Sequence, residues 1–144
     1  MESCVFCKIG EGKIPCDKIA EDSDFIAFLD IHPVNPGHAL IIPKKHYRWI
    51  YDVKNFGEYF EFIKKVAKAL QKSMKTEWIV LGVAGNDVKH AHVHLVPRFE
   101  DDGHGGFVHP ENIKNISAEE LKKTAALIRK IFNRGVHEGV STPY

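Results

Sequence analysis

Three histidines, His90, His92 and His94, alternate with apolar residues in the second half of the chain. Side chains two residues apart on a β-strand point to the same face, so this alternation predicts a strand over residues 92–99 and three imidazoles on one surface. A solvated edge strand that is merely rich in histidine fits less well, because the intervening residues are all apolar. A metal site and nucleophilic or acid–base chemistry both use imidazole nitrogens. The spacing alone does not choose between them.

The remaining patterns predict a mixed α and β fold. Runs of β-branched and aromatic residues between turn residues predict strands over residues 18–20, 25–30, 38–42 and 78–83. Apolar residues three and four apart predict an amphipathic helix over residues 55–72. The capping box that begins at Ser117 starts a second helix, which ends near Asn133. Short turns favour antiparallel neighbours, so we expect an α+β fold with two helices on one mainly antiparallel sheet.

Composition predicts one globular domain over residues 1–144, with 44% apolar and 27% charged residues. The formal charge of +1 provides no overall field that would attract nucleic acid or an anionic membrane. The first residues lack the pattern of a signal peptide, and the longest apolar run is far shorter than the roughly 20 residues that span a bilayer. We expect a cytoplasmic protein with no nucleic-acid or membrane partner.

Two of the three cysteines form a Cys-x-x-Cys pair, Cys4 and Cys7, and Cys16 has no evident partner. In a reducing compartment this spacing indicates metal or redox chemistry rather than a structural disulfide. The pair has the spacing of two ligands in a tetrahedral zinc site, and such a site needs two further ligands. A free pair near a chain terminus is the alternative.

The run from His90 to Val96 resembles the defining motif of the histidine triad (HIT) family, in which three histidines alternate with apolar residues. Other landmarks of that family follow in the same order, at residues 4–9, 13–15, 27–31, 36–38, 41–46 and 96–98. The resemblance covers a core of about residues 4–99, which leaves a C-terminal loop and helix over residues 100–144. It implies a homodimer with an α+β fold, a purine nucleotide ligand, and cleavage of phosphoramidates, nucleotidyl adenylates or dinucleoside polyphosphates.

The resemblance also implies roles for three histidines. His92 is similar to the nucleophile that attacks the α-phosphorus, and a nucleotidyl-histidine then forms and is hydrolysed. His94 is similar to the residue that donates to the phosphate oxygens. His38 is similar to a further active-site histidine, although a loop residue bonded to the backbone is an equal alternative.

A nucleotide pocket is implied as well. Asp30 occupies the position of the family's ribose-binding acid, with a turn residue as the alternative. The apolar residues Phe6, Phe28 and Ile31 correspond to the lining of the base pocket, although ordinary core packing explains them equally from sequence.

For the metal, the resemblance implies that His46 and His90 complete the site begun by Cys4 and Cys7. Four protein ligands make a closed zinc site, which is structural and does not activate water. His90 would then hold zinc, and His92 and His94 would remain for catalysis.

The segment before the triad departs from the family pattern. It reads Gly85-Asn86-Asp87-Val88 where the family has glutamine and then serine or threonine before valine. Asn86 can still donate a hydrogen bond, but Asp87 is an anionic acceptor that repels a phosphate at close range. Asp87 has three open alternatives: it binds a cation, points away, or receives the amine of a leaving group. The segment also lacks the asparagine that contacts ribose and phosphate in many members.

Three functions follow from these patterns. The first is a nucleotide hydrolase or transferase that uses His92. The second is a catalytically weak nucleotide-binding or sensing module, which Asp87 and the shortened segment favour. The third is a metalloenzyme whose open metal site uses His92 as well as His90. We also expect a dimer interface on the helix 55–72 and the strand before the triad, and loops near the site after residue 99 and in the tail 135–144.

Overall fold

The structure is a computed structural model that describes residues 3–138. Three helices and five strands are joined by turns and by a 3₁₀ turn at Ile50–Asp52. The helices are α1 (Val5–Gly10), α2 (Phe56–Met74) and α3 (Ala118–Glu138). The strands are β1 (Lys18–Glu21), β2 (Phe25–Leu29), β3 (Ala39–Pro43), β4 (Ile79–Gly82) and β5 (Val93–Pro97).

The five strands form one antiparallel sheet in the order β1-β2-β3-β5-β4. β1 and β2 pair as antiparallel neighbours, as the short turn between them favours, and the expected α+β fold with a mainly antiparallel sheet is confirmed. β5 returns to the centre of the sheet beside β3, where His94 lies opposite Leu40. This pairing brings the triad region next to residues from the first third of the chain.

The two faces of the sheet carry different clusters because successive strand residues point in opposite directions. Phe25, Ala27 and Leu29 belong to the larger core, which α2 and α3 cover. Tyr59 of α2 donates its hydroxyl hydrogen to Ile41 O at 2.6 Å in this core. The smaller cluster on the other face includes Phe28 and residues of α1.

Helix α1 is absent from the sequence prediction, whereas both long helices were predicted. Six residues are too few for a clear apolar period, so α1 depends on its packing of Phe6 and Ile9 against the sheet. Helix α3 begins as expected, with Glu120 N donating to Ser117 Oγ at 3.1 Å. It continues to Glu138, beyond its predicted end near Asn133. The predicted tail of loops over residues 135–144 is therefore wrong at its start, and residues 139–144 lie outside the described part of the chain.

The strand predicted over residues 92–99 is present as β5, but the triad does not lie on it as a whole. β5 begins at Val93, so only His94 is a strand residue, and His90 and His92 lie in the extended segment before it. Ala91 N donates to Tyr47 O at 2.6 Å, outside the ladder of the sheet. This contact ties the segment before β5 to the turn after β3.

Within residues 3–138, the helices are all too short or too polar to cross a membrane.

Candidate active site and metal centre

Four potential metal ligands converge where α1 meets the segment before β5. Their ligand atoms, from Cys4, Cys7, His46 and His90, lie within 4.8 Å of one another. Nδ1 of His90 is 3.3 Å from Cys4 Sγ and 3.5 Å from Cys7 Sγ. Nδ1 of His46 is 3.3 Å from Cys7 Sγ. The cluster unites the cysteine pair with the two histidines that the sequence resemblance implied.

His90 is oriented as a metal ligand by its second ring nitrogen. It is fully buried, and its Nε2–H donates to Pro43 O at 2.8 Å. Nδ1 therefore carries the lone pair and faces the two sulfur atoms. Burial lowers the pKa of His90 to about 4, so the ring is neutral at pH 7.

The cluster fits the size of a tetrahedral zinc ion. Zn–S and Zn–N bonds of about 2.3 Å and 2.05 Å place sulfur and nitrogen ligands roughly 3.6 Å apart. The three observed S···N distances are 3.3, 3.3 and 3.5 Å. Burial and the neighbouring Cys4 raise the pKa of the Cys7 thiol to about 11, and a bound dication reverses this effect by stabilising the thiolate.

His92 is held in the tautomer that a nucleophile requires. Its Nδ1–H donates to His90 O at 2.7 Å, so Nε2 carries the free lone pair. The ring is buried and packs edge-on against Phe6, with ring centroids 5.1 Å apart. His92 belongs to neither cluster of potential metal ligands in the described residues, which removes the support for the open metal site of the third hypothesis.

His38 and His94 form a directed chain of hydrogen bonds. Val34 N–H donates to His38 Nδ1 at 3.1 Å, so the ring hydrogen of neutral His38 is on Nε2. That Nε2–H donates to His94 Nδ1 at 2.9 Å. Neutral His94 therefore carries its hydrogen on Nε2, where it is free to donate to a ligand. The backbone bond that formed the alternative for His38 is present, and it sets the direction of the chain.

Burial keeps this pair uncharged. It lowers the pKa of His38 to about 4, although the Asp30 carboxylate 3.5 Å away opposes the shift. Burial and the neighbouring His92 also lower the pKa of His94. Both rings are therefore neutral at pH 7.

Asp87 does not point away from the triad. Its Oδ1 lies 4.0 Å from His92 Nε2 and accepts from Val88 N at 2.9 Å, and its side chain is 73% exposed. This excludes the alternative that Asp87 points away from the site. Val88 packs against the smaller apolar cluster.

The residues implied for the base pocket occupy two environments. Phe6 and Phe28 are buried and meet edge to face at 5.7 Å, next to His92. Ile31 follows β2 and is 71% exposed. Asp30 lies between them in sequence, and its Oδ1 accepts from His32 N at 2.8 Å.

A cavity of about 620 Å³ opens beside these groups. The polar residues of its lining are Asp30, His32, His38, Asn86, Asp87 and His94, whereas His92, Phe6, Phe28 and Ile31 do not line it. The apolar part of the lining forms the apolar wall, which comes partly from the loop after residue 99, a segment that the sequence analysis expects near the site. The apolar lining residues are Val34, Val80, Val83, Ala84, Val96, Phe107, Val108, Pro110 and Ile113.

Sequence reasoning missed the residues that fix this loop. The Asp102 carboxylate accepts from Arg98 Nε at 2.7 Å and from Asn35 Nδ2 at 2.9 Å. Arg98 is buried, and its guanidinium holds the pKa of Asp102 far below its ordinary value. An arginine followed four residues later by an acid was the available signal, but it is common on protein surfaces.

Known proteins resemble this chain along most of its length. A profile of the HIT domain matches residues 11–101. An uncharacterized HIT-like protein of Methanocaldococcus jannaschii is 41% identical over 127 residues, which cover 83% of this chain and 96% of that protein. An adenosine 5'-monophosphoramidase of Schizosaccharomyces pombe is 36% identical over 130 residues, and the alignment covers 84% of this chain and 98% of that protein.

A solved structure is similar in fold. The Zn-bound histidine triad family protein of Mycobacterium smegmatis has a TM-score of 0.75 and 26% identity. The alignment covers 96% of this chain and 99% of that one.

Proposed function

Because the chain belongs to the HIT domain family, we propose that it is a hydrolase that cleaves a nucleotide at its α-phosphorus through a covalent intermediate on His92. The hydrogen bond from His92 Nδ1 to His90 O carries this proposal, because it leaves Nε2 as the unprotonated, attacking nitrogen. Imidazole is a competent nucleophile near neutral pH. The phosphoramidase activity named for the Schizosaccharomyces pombe relative supports a phosphorus–nitrogen bond as the bond that breaks.

The reaction takes place in two displacements. In the first, a bond forms between His92 Nε2 and phosphorus while the bond from phosphorus to the leaving nitrogen breaks, and the amine departs with a proton from water. In the second, water attacks phosphorus, the Nε2–P bond breaks, and a nucleoside monophosphate is released. The ring is cationic between these steps, and His90 O stabilises it by accepting from Nδ1–H.

His94 and His38 serve the phosphoryl group. His94 Nε2–H donates to a phosphoryl oxygen, where negative charge increases in the transition state. His38 fixes this tautomer through its 2.9 Å bond to His94 Nδ1 and is a positioning residue. Since both rings are uncharged before substrate binds, their hydrogens are in place without a protonation step.

The nucleoside contacts the remaining polar and apolar side chains of the site. Asp30 accepts from the ribose hydroxyls, and Phe6, Phe28 and Ile31 contact a purine base. Asn86 and the backbone near Val88 lie on the phosphate side, next to Asp87. The edge-on contact of Phe6 with His92 supports this arrangement because it places the apolar surface one ring away from the nucleophile.

Zinc is the structural metal of this proposal, with Cys4, Cys7, His46 and His90 as its four ligands. The distances and the tautomer of His90 support it, and so does the Zn-bound neighbour. When bound, zinc supplies a fixed cross-link between α1 and the segment before β5. His90 then holds the carbonyl that orients His92.

Three broader features complete the proposal. The protein is a single domain over residues 1–144 and is located in the cytoplasm. It forms a homodimer through α2 and the region of β4, an edge strand on which Leu81 is 43% exposed. Sedimentation velocity gives the mass of the assembly directly.

The test of the mechanism is His92→Asn with adenosine 5'-phosphoramidate as substrate. We expect kcat to fall by roughly a thousandfold or more, while the melting temperature and AMP affinity stay near wild type. Mass spectrometry of the quenched wild-type reaction should detect an adenylated peptide that contains His92. His109→Asn is the matched control, because His109 is exposed and does not line the cavity. Wild-type rates in the His92 variant would reject the mechanism.

A catalytically weak nucleotide-binding module is the second candidate function. The 4.0 Å distance between Asp87 and His92 Nε2 favours it, because a carboxylate at that position repels phosphate. AMP binding without turnover of any nucleotide in a panel would select this candidate over the hydrolase.

A further inference from the structure

The charged side chains that line the cavity are acidic. Its lining contains two carboxylates, from Asp30 and Asp87, and, among the residues that the structure describes, no lysine or arginine. Arg48 is the cation bound to the adjacent loop, but its Nη2 donates to Gly85 O at 2.9 Å and its guanidinium stacks on Trp49. It does not line the cavity. The site thus accommodates the charge of one phosphoryl group with imidazoles and dipoles alone.

Asp87 lies close to the position where the reaction occurs. An attacking nitrogen approaches phosphorus at about 3 to 3.5 Å. Since Asp87 Oδ1 is 4.0 Å from His92 Nε2, the carboxylate lies within roughly 7.5 Å of the phosphorus under attack. At this distance, in a partly exposed site, one unit charge changes the affinity for another by about tenfold.

The loop that carries Asp87 is held in place. Gly85 has a φ of +79°, and a Cβ at this residue would contact the Trp49 ring, so the close turn depends on glycine. Arg48 fixes the carbonyl of Gly85, and Val88 N fixes Oδ1 of Asp87. The carboxylate, although 73% exposed, is therefore attached to a backbone turn that these contacts hold in place.

The apolar wall has no charged or hydrogen-bonding side chain for a second phosphate, and His32 is a further imidazole in the lining. Phe107 of this wall lies over Gly82, where a Cβ would be 3.6 Å from its ring. A polyphosphate placed against these apolar side chains would lose hydration without gaining donors, which is costly for charged groups. For apolar or uncharged groups, the loss of hydration at the apolar wall costs little free energy.

We propose that Asp87 is a specificity-determining residue. Together with the apolar wall, its charge excludes polyphosphate leaving groups and restricts the site to nucleotides whose leaving group is neutral or cationic. This inference rests on the proposed hydrolase function. It assigns to Asp87 a role in the choice of substrate and none in bond formation. Of the substrates that remained open from the sequence, it favours phosphoramidates over dinucleoside polyphosphates.

The test compares two substrates that share the same adenylate. These are adenosine 5'-phosphoramidate and diadenosine tetraphosphate, assayed with the full, zinc-loaded protein. Asp87→Asn removes the charge and keeps an oxygen that can accept from Val88 N. We expect kcat/KM for the tetraphosphate, divided by that for the amidate, to rise about tenfold in this variant. Glu119→Gln is the control, since Glu119 is exposed on α3 and does not line the cavity. It should leave the ratio unchanged.

A binding measurement separates this inference from the proposed function. In calorimetry, wild type should bind AMP more tightly than ATP. Asp87→Asn should lower the ratio of the two affinities about tenfold. An unchanged substrate ratio or an unchanged difference in affinity in Asp87→Asn would overturn the role of Asp87. If wild type cleaves neither substrate, the hydrolase proposal fails, and the calorimetric comparison still decides the charge selection.

Discussion

The imidazoles of His38 and His94 show how burial determines a chemical role. Each ring is held without charge by loss of solvent, and each has one nitrogen that accepts and one that donates. An isolated His38 in water would be partly protonated near pH 6.5. In the protein, the backbone of Val34 and the ring of His94 fix a single tautomer. The hydrogen-bond direction at the site is thus set by one backbone N–H.

The neutral state of His38 predicts a pH dependence of stability. Its pKa is about 4 in the folded protein and about 6.5 in an unfolded chain, so the unfolded state binds more protons between these values. The free energy of unfolding therefore falls as pH decreases through this window. From pH 7 to pH 5, this one residue should account for a loss of about 2 kcal/mol.

Urea unfolding of His38→Gln at the two pH values measures this contribution. The variant should lose about 2 kcal/mol less than wild type on acidification, whatever its stability at pH 7. His109→Gln, at an exposed position, should keep the wild-type loss. Equal losses in wild type and His38→Gln would show that His38 titrates normally in the folded protein.

The loop between β5 and α3 is the element that depends most on a single side chain. Asp102 accepts from Arg98, Asn35, Phe99 N and His104 N, and the Arg98 side chain is almost fully buried. Lys114 closes the loop by donating to Val34 O and Asp102 O, both at 2.9 Å. These bonds position the apolar wall of the cavity.

Asp102→Ala should therefore destabilise the protein by about 3 kcal/mol or more, because it leaves a buried guanidinium without its partner. Urea unfolding at pH 7 measures the change. Asp101→Asn is the neighbouring control: Asp101 is exposed, and asparagine tolerates its left-handed φ of 58°. If the two variants had equal stability, the ion pair would contribute no net stabilisation.

Elements with a strong periodic pattern could be predicted from the sequence, and elements that depend on distant contacts could not. Helix α2 has enough turns for its apolar face to be evident, and Ser117 marks the start of α3. Helix α1 has six residues and forms against the sheet. The strand predicted over residues 92–99 forms as β5, but His90 and His92 lie before it, because Tyr47 O, far away in the chain, takes the hydrogen bond of Ala91 N.

The same distinction applies to the site. The types of its residues and their order gave the candidate histidines and cysteines, and their convergence agrees with the resemblance. The direction of the His38–His94 bond and the position of Asp87 needed coordinates, since sequence carries no tautomer and no side-chain orientation. The apolar wall needed them as well, because Phe107 and Ile113 come from a loop with no periodic pattern.

On the scale of the whole molecule, the proposed zinc site joins three separate parts of the chain. Its ligands come from α1, from the turn after β3 and from the segment before β5. A metal bound only by the folded state stabilises that state. Chelation should therefore remove about one zinc ion per chain and lower the melting temperature by roughly 5 °C or more, and added zinc should restore it.

The three cysteines provide the matched comparison for this prediction. Cys7→Ser should lose zinc, while Cys16→Ser should retain it, because Cys16 packs beside the smaller apolar cluster and is outside the ligand group. Metal content by elemental analysis and thermal unfolding of each variant give the result. Zinc retained in Cys7→Ser, or absent from reconstituted wild type, would contradict the assignment.

The wide spacing of these ligands has a consequence for biosynthesis. Cys4 and His90 are 86 positions apart, so a ribosome that adds roughly 10 residues per second releases the thiols about nine seconds before the last imidazole. During that interval the two thiols are not yet enclosed by folded protein, and they are open to oxidation and to soft metals such as Cu(I). For the proposed zinc site, selection of the metal would therefore have two stages, first thiolate affinity on the growing chain and then the tetrahedral geometry of the finished fold.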